Sequence, residues 1–130
     1  MKNFKLLLLS SLLVIGVSTQ ASPAAVEKEV QIGIGDVYVP GGFDSNSSAF
    51  VVANGYFPNS CYRWNRSEVK HIDTFTHEVK SIASVSQGMC LMVMVPFTKE
   101  VSLGKFESGK HTLRFLNGDG TYLEKSMSIE

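Results

Sequence analysis

Asn59-Ser60-Cys61-Tyr62-Arg63-Trp64 and Met89-Cys90-Leu91-Met92-Val93-Met94-Val95-Pro96-Phe97 hold the only two cysteines of the 130-residue chain. Each cysteine stands at the head of a strand-like run. The pair is read as one disulfide, Cys61–Cys90, tying two strands together. Two free thiols or a metal pair are the competing readings. The spacing fits no zinc pattern, and a lone pair in an exported chain favours oxidation. Closing a loop of this length stabilises a fold by about 3–4 kcal/mol in the chain-entropy model.

Export is read from the other end of the chain. Lys2 and Lys5 precede the apolar run Leu6 to Val17, and Thr19-Gln20-Ala21 places small residues where a signal peptidase reads. Residues 1–21 are expected to be a signal peptide of bacterial type. The run is short of the roughly 20 residues a membrane helix needs, so no stable membrane insertion is expected after cleavage. No cysteine follows the cut to carry a lipid. Residues 22–27 read as a Pro/Ala linker, and 28–130 as one domain in the periplasm or outside the cell. The whole chain balances 12 basic against 12 acidic residues, and cleavage removes two lysines. No basic patch remains to bind phosphates, so nucleic acid is not an expected partner.

From Lys28 onward the pattern is β. Val30, Ile32 and Ile34 alternate with Glu29, Gln31 and Gly33. Asp36 to Val39 continues to the Pro40-Gly41-Gly42 break. Ala49 to Ala53 is apolar on both faces, as a central strand can be. Asn54-Gly55 and Pro58-Asn59-Ser60 read as turns. Cys61 to Trp64 opens a further strand, with the only tryptophan expected near the disulfide. Ser67 to Ile72 and His77 to Val85 read as strands with mostly polar outer faces. The β-branched and serine content of the second disfavours a helix. Met89 to Val95 reads as a strand apolar on both faces, and Lys99 to Gly104 as a charged edge strand. His111, Leu113 and Phe115 alternate inward. Asn117-Gly118-Asp119-Gly120 is the strongest hairpin signal, and Leu123, Met127 and Ile129 share the inner face of the last strand. Seven to nine short strands of this kind, with turns between and no helix, predict an all-β fold, an antiparallel β-sandwich with one disulfide.

Leu103, Phe106, Gly109, His111, Leu113 and Phe115, followed by Asn117-Gly118, resemble the corner region of immunoglobulin-like and fibronectin-III-like modules in bacterial envelope proteins. His111 stands where those modules commonly carry a tyrosine. Val37 to Pro40, Pro58 to Tyr62 and Cys90 to Phe97 are similar to small secreted bacterial proteins. The resemblance implies an immunoglobulin-like sandwich and carries no activity.

The chemistry-bearing residues are few. Tyr38, Phe43, Tyr56, Tyr62 and Trp64 flank turns, where loops at the ends of a sandwich recognise protein or carbohydrate; alternatively they close the ends of the core. Met92 and Met94, two apart on one expected strand face, with His77, make the alternative of a periplasmic copper-binding protein. His71 and His77 are six apart and can meet only if the chain turns between them; they are read as surface histidines. His77-Glu78 lacks the second histidine of a metalloprotease helix, Ser81 standing there instead. Asp44, Asn46 and Ser48, and Asn117, Asp119 and Thr121, space oxygens as calcium loops do, but without the distant glutamate, and turn chemistry explains them. There is no Gly-x-Ser-x-Gly nucleophile elbow, Gly33-Ile34-Gly35 is too short for a dinucleotide loop and lacks a following helix, and no pair of carboxylates stands out at a spacing for acid–base work. The expectation is a non-enzymatic module with no catalytic residue and no cofactor.

Overall fold

The computed structural model describes residues 15–18 and 27–130. The expected signal peptide and most of the linker lie outside the described residues. Eight strands follow one another: β1 (Lys28–Ile32), β2 (Asp36–Tyr38), β3 (Ala49–Phe57), β4 (Tyr62–His71), β5 (Thr76–Val85), β6 (Val95–Gly104), β7 (Gly109–Leu116) and β8 (Tyr122–Ile129). No helix occurs among the described residues.

The strands form a three-stranded sheet, β2-β3-β6, and a five-stranded sheet built around β5. β4 pairs with β5 along its whole length and so occupies one edge of it. β1 and β7 share the other edge, β1 against Ser81–Val85 and β7 against Thr76–Lys80. They abut where Gly33 approaches Asn117 and Gly118 approaches Gln31. β8 closes the far side of β7. The expectation of a purely antiparallel sandwich needs one correction: β5 and β7 run parallel. A parallel pair needs a long crossover, and here the chain makes it by leaving for the other sheet as β6.

Alternation builds the core between the two sheets. Ala49, Val51, Ala53 and Phe57 of β3 and Phe97, Val101 and Leu103 of β6 face Val79 and Ala83 of β5, Leu113 and Phe115 of β7, and Met127 and Ile129 of β8. The outer face of β5 is covered as well. Ile82 and Ser84 are buried there because β1 and β4 reach over them, Arg66 to Glu29 at 2.8 Å and Arg63 to Glu27. Asn65, the extra residue of a bulge in β4, donates to Ser84 Oγ at 2.8 Å.

Two local readings change. Asn54-Gly55 does not turn; β3 runs straight through it. A Cβ on Gly55 would stand 2.5 Å from Phe97 Cζ, so the glycine makes room for a ring that stacks on Phe57 at 4.5 Å. The apolar run Met89 to Met94 is not a strand either. β6 begins only at Val95, opposite Phe57, where β3 ends. Pro58 lacks an N–H to continue the ladder, so residues 86–94 have no strand to pair with and form a loop. The Asn117-Gly118 hairpin is present, with Gly118 and Gly120 at φ +87° and +91° and Asn117 N–H donating to the Thr121 carbonyl at 3.0 Å.

Candidate functional site

The two ends of β5 carry the two features that could act. At its start, β4 and β5 are joined by a tight turn over Ile72–Phe75, which places His71 directly opposite His77. The parallel pairing of β5 with β7 brings His111 to the same place. His71 Nδ1 lies 2.6 Å from His77 Nδ1. His77 Nε2 lies 2.8 Å from His111 Nδ1. His111 Nε2 lies 2.6 Å from the Glu107 carbonyl oxygen. The three rings therefore form a chain.

His111 is fully buried and His77 is 2% exposed, while His71 reaches solvent. The reading of His71 and His77 as surface histidines fails for His77, because its side chain points with Val79 into the core. Phe106 stacks on His77 at 4.1 Å with planes 6° apart, and on His111 at 4.8 Å. Phe75 leans on His111 from the turn at 5.0 Å. A Cβ on Gly109 would meet that ring at 2.9 Å.

The direction of the chain follows from its inner end. A carbonyl oxygen only accepts, so His111 Nε2 carries a hydrogen and donates to Glu107, as a corner tyrosine hydroxyl would. In the uncharged chain His111 Nδ1 then accepts from His77 Nε2–H, and His77 Nδ1 accepts from His71 Nδ1–H. These tautomers are assigned from the network. Among the described residues, His71 Nε2 is the one ring nitrogen without a partner. Burial, then the neighbouring His71 and His111, push His77 down to about 4, with Asp73 pulling the other way. Each neighbour meets a different nitrogen of His77, so the three rings cannot share one ion. A metal between His71 and His77 at Zn–N lengths of about 2.0–2.1 Å would need a wider gap than 2.6 Å. A cleft of about 270 Å³ opens beside the chain, lined by His71, Asp73, Thr74, His77, Phe106 and the Lys105–Glu107 segment. Asp73 is held below its ordinary value chiefly by the Phe75 N–H.

At the other end of β5, Ser86 N–H donates to the Cys61 carbonyl at 3.0 Å, and the chain enters loop 86–94. The Cys61–Cys90 disulfide is formed, with Cα atoms 5.4 Å apart. It ties the start of β4 to this loop rather than to a second strand. Ser60 N–H donates to the Leu91 carbonyl at 3.1 Å, and Leu91 N–H to Ser60 Oγ at 2.7 Å. Held at these points, Met89, Leu91, Met92, Val93 and Met94 are 56–104% exposed. Lys80 and Lys99 bracket a stretch with no charged residue between them.

The remaining sequence-selected residues divide. Tyr62 and Trp64 pack on the core, Tyr62 6.0 Å from Phe57 and Trp64 5.7 Å from Phe97. Phe43 packs there too, edge-on to Phe50 at 5.2 Å. These three close the core. Tyr38 and Tyr56 are 64% and 66% exposed, on the outer face of the small sheet. Met92 and Met94 are not brought to His77. They follow the loop at one end of β5, while His77 stands at the other, ~25 Å away at about 3.3 Å per residue. The two oxygen-rich loops spend their carboxylates on turns. Asp44 Oδ1 accepts from Asn46 N, Ser47 N and Ser47 Oγ, each at 2.9 Å, and Asp119 Oδ1 accepts from Thr121 N and Oγ1.

The family model of the ORF11 beta-sandwich domain matches residues 51–128. The chain belongs to this family. The match runs from within β3 to within β8, so most of the core, the histidine chain and the disulfide loop fall inside the ORF11 beta-sandwich domain, while β1, β2 and the core residues Ala49 and Ile129 lie outside the matched range. No curated protein and no solved structure matches the chain.

Proposed function

We propose that the chain is an exported, non-enzymatic ORF11 beta-sandwich module that binds a protein partner through loop 86–94. The exposure of the Met89–Met94 side chains carries this reading. Contiguous exposed apolar surface of this kind commonly marks an interaction site. Methionine suits such a surface because its unbranched, polarizable side chain adapts to what it meets. The disulfide and the Ser60–Leu91 bonds restrain the loop beforehand, which lowers the entropy lost on docking. The same disulfide supports residence in an oxidising space, periplasmic or extracellular. Aliphatic and thioether groups favour protein over carbohydrate. With His77 at the far end of β5, the loop methionines serve better as contact surface than as copper ligands.

A carbohydrate ligand is the second reading, favoured by Tyr38 and Tyr56 standing exposed on the small sheet. One experiment separates the two. A photo-crosslinking residue is placed at Met92 of the full chain expressed in its own cells, with Lys105 as control position. The protein-binding reading expects one discrete protein adduct from position 92, lost on Leu91→Asp. No adduct from 92, or equal labelling from 105, overturns it. Glycan binding lost on Tyr56→Ala and unaffected by Leu91→Asp would support the second reading instead.

A further inference from the structure

The histidine chain has a fixed capacity for protons. Its three rings have six nitrogens, and five of them are engaged, in two N···N contacts and one N···O contact. Each N···N contact holds one hydrogen and no more, since two facing N–H groups repel. The contact to the Glu107 carbonyl holds one. The uncharged chain fills these three places. The only place for a fourth hydrogen is His71 Nε2, at the exposed end. The closed chain thus carries a charge of zero or one. Three separated imidazoles would carry up to three.

The hydrogens can also move along the chain. A proton added at His71 Nε2 lets the Nδ1 hydrogen shift to His77, and the next shift reaches His111. The relay ends at the Glu107 carbonyl, which binds no further proton. The chain stores a charge and does not conduct it through the domain.

What the chain fastens is specific. His71 and the turn over Ile72–Phe75 belong to the β4–β5 side. Glu107 and Phe106 belong to the segment crossing from β6 to β7, and His111 to β7. Phe106 stacks on both buried rings, so its seat depends on them. Among the described residues, the charged side chains that line the cleft beside the chain come from Asp73 in the turn and from Lys105 and Glu107 in the crossing segment, and of these Asp73 acts on His77. β8 offers Met127 opposite His111, which does not titrate. The Asp73 carboxylate favours an added charge on His77, and one carboxylate is too little to offset a second and third.

We propose that this chain is an acid-operated latch that keeps its closed form through the first added proton and parts at the second, releasing the Lys105–Ser108 segment and the Ile72–Phe75 turn while the disulfide end stays folded. The opening widens the cleft at the end of the sandwich remote from loop 86–94, so the device is separate from the proposed docking surface.

The test uses the full mature chain, disulfide intact and labelled with ¹⁵N. Long-range imidazole spectra assign tautomers from pH 8 downward, and backbone hydrogen exchange is followed in parallel. At pH 8 the latch expects His71 with hydrogen on Nδ1, and His77 and His111 with hydrogen on Nε2. During uptake of the first proton, protection at 72–75 and 105–109 holds. On further acidification both segments lose protection together, more steeply than the tenfold per pH unit that a single proton allows, while Tyr62 and Val85 stay protected. In His77→Gln the steep joint opening disappears. His71 with hydrogen on Nε2 at pH 8, or three rings titrating independently with both segments still protected, overturns the proposal. The wild-type spectra decide it even if the variant folds poorly.

Discussion

Replacing His77 by leucine should leave a stability deficit at neutral pH that closes as pH falls. The wild-type ring drops from an ordinary 6.5 to about 4 in the fold, with burial as the first cause. The native state therefore favours the neutral ring, and the unfolded chain takes up the proton first. Stability from this group is whole above pH 6.5, falls as pH drops toward 4, and is flat below. Integrated from pH 7.5 to 4.5, the loss is about 2–3 kcal/mol. Leucine has no proton to take up and loses none of this. At pH 7.5 the variant is the weaker protein, because His111 Nδ1 is left buried without its donor, at a cost of about 1–3 kcal/mol. Urea unfolding at several pH values, read as the difference between the two proteins, cancels the carboxylates they share. The expected result is a gap that closes by about 2–3 kcal/mol and ends near or beyond zero at pH 4.5. Two curves that stay parallel over this range would refute the reasoning, since His77 would then be as free to ionise folded as unfolded.

Reduction of Cys61–Cys90 should lower stability by about 3–4 kcal/mol in the chain-entropy model, measured by urea unfolding with and without reductant, and should broaden the amide signals of 86–94. Gly55→Ala should cost about 1–3 kcal/mol by overpacking against Phe97, and Phe97→Leu in the same chain should recover part of that loss in a double-mutant cycle. Leu91→Asp should leave unfolding within about 0.5 kcal/mol of wild type, as an exposed substitution does, while abolishing the Met92 crosslink.

The sequence carried the fold where its signals were local. The alternation of His111, Leu113 and Phe115, the Asn117-Gly118 turn and the inner face of Leu123, Met127 and Ile129 are period-two patterns joined by turn chemistry, and these form a hairpin. The same locality misled at Asn54-Gly55. A turn signal was present, but Phe97, more than forty residues later, needed the missing Cβ. Met89 to Met94 misled in the opposite way. Apolar content suggests burial, yet burial requires a partner strand, and β3 ends at Phe57. The histidine site lay between these cases. His71 and His77 flank Asp73-Thr74-Phe75 symmetrically, a spacing that a hairpin turns into a cross-strand pair. His111 read correctly as inward. Joining the three required the parallel pairing of β5 with β7, a contact between segments 34 residues apart that no periodicity announces.

Loop 86–94 stands as an open apolar surface on a closed sandwich, and methionine oxidation tests this most directly, with an internal control. Dilute peroxide is added to the folded, disulfide-intact chain, and each methionine is followed by mass spectrometry. Met89, Met92 and Met94 should oxidise quickly while Met127, 1% exposed between the sheets, resists until the protein unfolds. Loop methionines as protected as Met127 would mean that the run is packed as a strand after all, and the proposed binding surface would not exist.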